Sequence, residues 1–332
     1  MMKIIFFSAQ IYDKAFFNKN NENHKFELIY HESQLTEKTV GLIDVADAVC
    51  VFVNDTLNAA VCNQLALKGV KIIALRCAGF NNVDLEAAKI NGLRVCRVPV
   101  YSPEAVAEHA LALILTLNRK THKAYNRVRE QNFSLHGLEG FNLHGKTVGV
   151  IGTGNIGQVF CRMMLGLGCK VLAFDLIANK DLESLGVEYL PLLNVLKADI
   201  ISLHCPMNNQ TKHLINDESI AQMKKGVMLI NTSRGGLIDT KSVIKGLKSG
   251  QIAYLGIDVY EQEEHLFFRD LSNTVIQDDE IQRLMSFPNV LVTAHQAFFT
   301  DEALGQIATA TLKNVEQLVK EGNLLNRAAL LV

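Results

Sequence analysis

The chain has 332 residues, a formal net charge of −1, and a composition 48% hydrophobic and 20% charged. That length sets an expectation of two domains, each burying its own core, and the balance is that of a globular protein. Near-neutrality provides no cationic field to recruit nucleic acid or an anionic lipid surface, and no apolar run reaches the length of a membrane span. No nucleic-acid or membrane partner is therefore expected.

Seven cysteines, at 50, 62, 77, 96, 161, 169 and 205, form no C-x-x-C pair, and several lie in apolar runs such as Val49-Cys50-Val51. Buried free thiols are expected rather than a disulfide or zinc framework, and no metal site is expected. The opening M-M-K-I-I-F-F-S reads as a first strand without a cleavage site, which sets a cytoplasmic expectation.

In chain order, residues 3–8 read as a strand and Tyr12 to Phe17 as a helix. Strands follow at 26–30, 48–53, 70–75 and 93–98, with helical patterns at 61–67 and 84–90 between them. Strands alternating with helices argue for a parallel sheet. Pro99 and Pro103 bracket a crossover, where Ser102 can cap a helix that begins at Pro103. Residues 105–117 are apolar almost all round, so that helix is expected to be buried between domains or subunits, and a homo-oligomer, dimer or tetramer, is expected. His109 within it reads as packed and hydrogen-bonded rather than catalytic. Residues 119–146 read as a polar connection.

The stretch from Thr147 to Asp175 organises the rest. A short apolar strand runs into Gly152-Thr-Gly154-Asn-Ile-Gly157, a helical pattern follows, and a second strand ends on Asp175. This is the pattern of a dinucleotide site. Gly152 permits the tight turn, Gly154 lets backbone approach a pyrophosphate, and Gly157 lets helix pack on strand. The helix N-terminus offers free N–H groups and a positive dipole end to the phosphates. Asp175 can accept hydrogen bonds from a ribose and would repel a 2′-phosphate, so NAD is expected over NADP. Further strands are read at 198–204, 227–231, 254–259 and 290–293. A helix at 301–320 is expected to fold back on the first domain. The expected domains are 1–100 and 297–332 for the substrate and 101–296 for the cofactor.

Ligands of open parallel sheets gather at the carboxyl ends of the strands. Arg234, Asp258 and His295 fall at such ends, with Glu263 in the loop after Asp258. Arg234 suits a bidentate grip on a carboxylate, and His295 suits proton transfer near neutral pH. Glu263 can hold the imidazole in one tautomer, although Glu261 and Glu264 beside it also fit an exposed acidic run.

Together these pieces carry a resemblance. V-G-V-I-G-T-G-N-I-G, N-T-S-R-G-G-L-I-D-T, G-I-D-V-Y-E and T-A-H-Q-A-F-F-T are similar to the D-isomer-specific 2-hydroxyacid dehydrogenases. The segments R-C-A-G-F-N-N-V-D and P-V-Y-S-P-E-A-V-A-E-H extend the likeness over nearly the whole chain. D-V-Y-E continuing to L-F-F and V-I-Q-D-D resembles the D-lactate-forming members. The resemblance implies a Rossmann NAD-binding domain inserted into a flavodoxin-like substrate domain, with the site in the cleft between them. It implies reduction of a small 2-oxo acid such as pyruvate by NADH, with Arg234, Glu263 and His295 as the catalytic trio. A bulkier 2-oxo acid, hydroxypyruvate or a non-catalytic NAD-sensing role are the alternatives.

The same resemblance places Asn155 and Ile156 on the phosphates and Cys205, Pro206 and Thr211 on the adenosine side. Thr232, Ser233, Arg234 and Asp258 fall towards the nicotinamide, where Asp258 either holds the carboxamide or caps a strand end. Arg76, Ala78, Gly79 and Tyr101 fall on the substrate side. Arg76 is alternatively a salt bridge to a helix, and Tyr101 a packed hinge aromatic. Phe52 stands where some relatives carry a tyrosine, and Phe298 and Phe299 are candidate pocket walls.

Overall fold

The computed structural model describes residues 2–332 and divides by internal contacts into two units. The first comprises 1–102 and 299–332, and the second is the continuous stretch 103–298.

In the first unit β1 (Lys3–Phe6), β2 (Glu27–Tyr30), β3 (Ala48–Val51), β4 (Ile72–Leu75) and β5 (Arg94–Arg97) form a parallel sheet in the order β2-β1-β3-β4-β5. This is the flavodoxin-like order, in which the chain reverses direction across the sheet between β1 and β3. β3 and β4 are buried at every position, the continuous apolar reading expected of strands covered on both faces. The connecting helices are α1 (Ile11–Asn20), α2 (Ala59–Leu67) and α3 (Leu85–Ile90). Asn58 and Asp84 cap the last two by accepting from the Val61 and Ala87 N–H groups.

The long helix Asp301–Glu321 also belongs to this unit, packing on α1, β4 and β5. Thr300 caps its start, acidic residues fill its first turn, and Gly322 at φ +66° ends it. Beyond it the Leu331 N–H donates to the Val95 carbonyl, returning the tail to β5.

The second unit opens with α4 (Pro103–Arg119) and α5 (Thr121–Arg129). Its strands are β6 (Thr147–Ile151), β7 (Lys170–Phe174), β8 (Glu188–Tyr189), β9 (Ile200–Leu203), β10 (Val227–Asn231), β11 (Ile252–Ile257) and β12 (Val290–Val292). They lie parallel in the order β12-β11-β10-β9-β6-β7-β8. The six strands from β11 to β8 reproduce the doubly wound dinucleotide-binding arrangement, with the reversal between β6 and β9, and with β12 added at one edge. Helix α6 (Asn155–Gly166) follows β6.

Within the single chain, helix α4 covers the core with one face only. Ala107, Ala110, Leu113, Ile114 and Leu117 pack into the core with Val148, Val150 and Phe160, while Glu104, Glu108, Ala112, Leu115 and Arg119 form an exposed stripe. Alanine and leucine on that stripe disguise a one-sided helix as an apolar one. The polar connection 119–146 carries α5 in its first part. The seven cysteines are buried and free, as their apolar surroundings suggest.

Candidate active site

At the strand-order reversal of the second unit, β6 delivers the glycine loop and β9 delivers His204-Cys205-Pro206 beside it. Gly152 has φ +92°, and a Cβ there would lie 2.6 Å from the Cys205 nitrogen. A Cβ on Gly157 would lie 2.0 Å from the Gly152 carbonyl oxygen. The protein's own packing thus dictates the first and third glycines. Gly154 differs, since nothing lies within 4 Å of the Cβ it lacks. Its bareness is used only if something from outside the chain comes close.

Gly154 is also the N-cap of α6 and contributes no side-chain cap, so Asn155 and Ile156 begin a helix whose first N–H groups face an approaching anion. His204 packs behind this loop against Phe160, and burial lowers its pKa to about 3. It therefore adds no positive charge at neutral pH.

Asp175 sits just past β7, where its carboxylate accepts from the Thr153 N–H at 2.6 Å and from the Leu176 N–H at 2.6 Å. Tyr189 donates to the Thr153 hydroxyl, which donates in turn to Asp175. The acid is fixed at the strand end and keeps lone pairs for ribose hydroxyls.

Thr211 closes the turn after Pro206 by donating to the Pro206 carbonyl, and Ser233 donates to the Cys205 carbonyl, tying neighbouring strand-end loops. Thr232, at the end of β10, buries a hydroxyl with no hydrogen-bond partner among the described residues. A bare glycine, an open helix end, a fixed acid and an orphaned hydroxyl are donor and acceptor sets that suit a dinucleotide.

The candidate reactive residues lie on the next strand ends. β10, β11 and β12 run in register through Asn231, Ile257 and Val292, so the loops after them start side by side. Arg234 follows β10 and donates from Nη1 to the Ser233 carbonyl at 2.6 Å. Its loop docks closely on the loop after β11, because a Cβ on Gly235 would lie 2.1 Å from the Tyr260 carbonyl carbon.

Glu263 and His295 meet directly. The imidazole Nδ1 is 2.8 Å from Glu263 Oε1, while the Tyr260 N–H donates to Oε2 at 2.9 Å. A carboxylate only accepts, so Nδ1 carries the proton and Nε2 has no hydrogen-bond partner among the described residues. The two side chains are 18% and 21% exposed, and Phe268 and Phe298 flank the ring. Glu261 and Glu263 are half-buried while Gln262 and Glu264 are exposed, so the segment is not a solvated acidic run. His295 sits at φ +52°, a left-handed conformation that a non-glycine side chain holds only when its surroundings impose it.

Asp258 supplies much of that imposition. Fully buried, it accepts from the Gln296 and Ala297 N–H groups at 2.9 and 2.8 Å and from the Thr293 hydroxyl, while its carbonyl accepts from the His295 N–H at 2.7 Å. Burial alone would raise its pKa, but bonds from His109 and Thr293 outweigh it and hold the carboxyl below its ordinary range. His109 is packed and bonded, its Nε2 3.0 Å from the Thr293 hydroxyl. Neither the His109 link nor this loop-holding geometry is legible without the fold.

In the first unit Arg76 adopts its salt-bridge alternative. It is 2% exposed, with Nε 3.1 Å from Asp13 and Nη2 donating to the Ser8 carbonyl at 2.8 Å. The guanidinium lies 5.1 Å over the Phe52 ring. The Ala78 carbonyl accepts from Arg97, and the Gly79 carbonyl from the Cys77 thiol. Tyr101 is half-buried, and Phe299 packs edge-on against Tyr12 at 4.8 Å. Asp13, a lone acid on a helix, gave no signal of this pairing in sequence.

The second unit, with its reversal-point glycine loop and strand-end acid, defines an NAD-binding oxidoreductase domain. Comparison with known proteins narrows this further. The chain belongs to the D-isomer-specific 2-hydroxyacid dehydrogenases, whose NAD-binding-domain model matches residues 111–297. It is thus an NAD-dependent dehydrogenase. It is 56% identical over 324 residues to 2-hydroxyacid dehydrogenase homolog 1 of Schizosaccharomyces pombe, covering 97% of this chain and 98% of that one. With the D-lactate dehydrogenase of Escherichia coli it shares 52% identity over 320 residues, covering 96% and 97%. Among solved structures it superposes on one described as the pyruvate reductase of Chlamydomonas reinhardtii with a TM-score of 0.94 and 47% identity, covering 98% of each. Among the described residues no helix is long and apolar enough to cross a membrane.

Proposed function

We propose that this chain is a D-lactate dehydrogenase that reduces pyruvate to D-lactate. The observation carrying the reading is the His295–Glu263 hydrogen bond in a half-buried setting, next to the loop that bears Arg234. Relatives named for D-lactate and pyruvate support the choice of substrate.

Bound NADH supplies the hydride. Arg234 grips the substrate carboxylate with parallel N–H groups and polarises the 2-oxo acid. His295, protonated, donates from Nε2 to the carbonyl oxygen, and Glu263 stabilises the imidazolium through Nδ1. Gly152, Gly154, Asn155, Ile156 and Gly157 seat the phosphates and Asp175 the ribose. Cys205, Pro206 and Thr211 border the adenosine, and Thr232 and Ser233 border the nicotinamide. Asp258 also borders the nicotinamide, and its bonds to the loop after β12 hold His295 in place. Ala78, Gly79 and Tyr101 contribute on the substrate side, and Arg76 acts by anchoring the backbone that carries the first two.

NADH consumption with pyruvate, followed by chiral analysis of the product, tests this. D-lactate is expected. L-lactate, or preference for a bulkier 2-oxo acid or hydroxypyruvate, overturns the substrate assignment. NADH bound without turnover of any 2-oxo acid overturns the enzyme reading in favour of a sensor.

A further inference from the structure

The loops bearing Arg234 and Glu263 come from different strands, and the reaction needs them in one fixed relation. Gly235 lets their backbones touch, but contact alone does not stop sliding. A third segment spans both. His213 lies in the stretch that continues from the adenosine-side turn at Pro206–Thr211. Its N–H donates to the Gly236 carbonyl at 2.8 Å, on the arginine loop. Its ring nitrogen Nε2 lies 2.5 Å from Glu261 Oε1, on the acid loop two residues before Glu263. Glu261 also accepts from the Thr240 hydroxyl at 3.4 Å, and Ile215 next along bridges to Ile238. His213 holds φ +52°, the same costly left-handed conformation as His295.

We infer that His213 is a positioning residue that fastens the Arg234 loop to the Glu261–Glu263 loop, one by its backbone and the other by its imidazole. It touches neither substrate nor the reacting atoms, and acts through Arg234 and Glu263. The inference deepens the function proposed above and rests on the roles given there to those two residues.

The reason such a strap matters is geometric. Misplacing a reacting group by about 1 Å can cost up to roughly 10²-fold in rate. Glu263 is steadied at one oxygen by the Tyr260 N–H, in the backbone adjoining Glu261. Tyr260 is itself secured from the far side, its hydroxyl donating to Asp278 at 2.8 Å. Releasing Glu261 leaves that segment held from one side only.

The test compares wild type with His213→Ala, His213→Gln and Glu261→Ala in pyruvate reduction across pH. His213→Ala is expected to lower kcat about 10-fold and to move the alkaline limb of kcat/KM about one pH unit down, because a displaced Glu263 stabilises the imidazolium less. Glu261→Ala should reproduce both effects. His213→Gln, whose amide nitrogen can stand where Nε2 stands, should recover most of the rate. Limbs and rates within twofold of wild type in both alanine variants overturn the inference, as does Gln doing no better than Ala.

If His213→Ala fails to fold, Glu261→Ala carries the test. Amide hydrogen exchange separates this inference from the choice of reaction. Protection at 234–237 and 260–263 should fall together in the alanine variants, even if wild type ignores pyruvate. Unchanged protection overturns the strap, whereas inactive wild type with coupled loss of protection overturns only the proposed reaction.

Discussion

Arg76 meets Asp13 in the first unit at 3.1 Å with side chains 2% and 6% exposed, and His295 meets Glu263 in the second at 2.8 Å with 18% and 21%. The separations are nearly alike, and each pair joins a cation former to a carboxylate. Depth separates them. In the first pair water is excluded, the guanidinium keeps its proton, and two further bonds to Asp13 and Ser8 lock it. In the second the partners retain access to solvent, and one imidazole nitrogen is spoken for while the other is spare. A sealed pair with a guanidinium stores structure, because that group does not surrender its proton. A half-open pair with an imidazole can pass a proton on. Arg76 forms the salt bridge that was its alternative reading, while its Nη1 has no hydrogen-bond partner among the described residues.

The sharpest way to break this contrast is at the working pair. His295→Gln keeps a hydrogen-bonding side chain but cannot donate a proton at Nε2 to the substrate. Turnover should fall about 10²–10⁴-fold while NADH affinity, read by fluorescence titration, stays near wild type. A rate within threefold of wild type would remove His295 from the chemistry.

At the sealed pair the expected loss is of stability. Arg76→Ala leaves Asp13 buried without its counter-ion, which costs on the order of 3–5 kcal/mol. Urea unfolding reads this as a lower midpoint at unchanged slope. Replacing both partners by apolar residues of similar volume should restore much of the loss, since no lone buried charge remains. If the double variant is no more stable than Arg76→Ala, the pair does more than neutralise itself.

Sequence legibility follows the same division. The glycine loop, the strand-end acid and the order of strands and helices could be read because each depends on local pattern: a turn that only glycine makes, apolar runs of strand length, caps at helix starts. Arg234 and His295 stood out as strand-end residues, whereas Glu263 joined them only through the family resemblance, because its acidic neighbours look like an exposed run. What could not be read were links between loops remote in sequence. Asp13 lies 63 positions from Arg76, and His213 lies 48 from Glu261. No periodicity encodes such pairs, and each partner alone resembles an ordinary surface residue. Asp258 illustrates the intermediate case, visible as a strand-end acid while its grip on the 296–297 backbone was not.

A third pair extends the comparison to the surface and gives the smallest effect. Asp199, at the start of β9, accepts from Lys224 at 2.5 Å and from the Thr147 N–H and hydroxyl at 3.0 and 2.8 Å. It lies at the amino ends of the strands, away from the glycine loop. Burial pushes its carboxyl upward, but Lys224 and Thr147 outweigh that and lower it from 3.8 to about 2. A depressed carboxyl stabilises the fold fully above its unfolded value, and that contribution fades as pH falls towards about 2. Lys224 is 58% exposed, so solvent screening trims the contribution to about 1 kcal/mol. Asp199→Asn should therefore be less stable than wild type at pH 7, with the gap narrowing by pH 3 and pyruvate turnover unchanged. Were the gap the same at both pH values, Asp199 would act by shape and hydrogen bonding rather than by charge. The gradation from sealed to open pairs would then lose its outermost member.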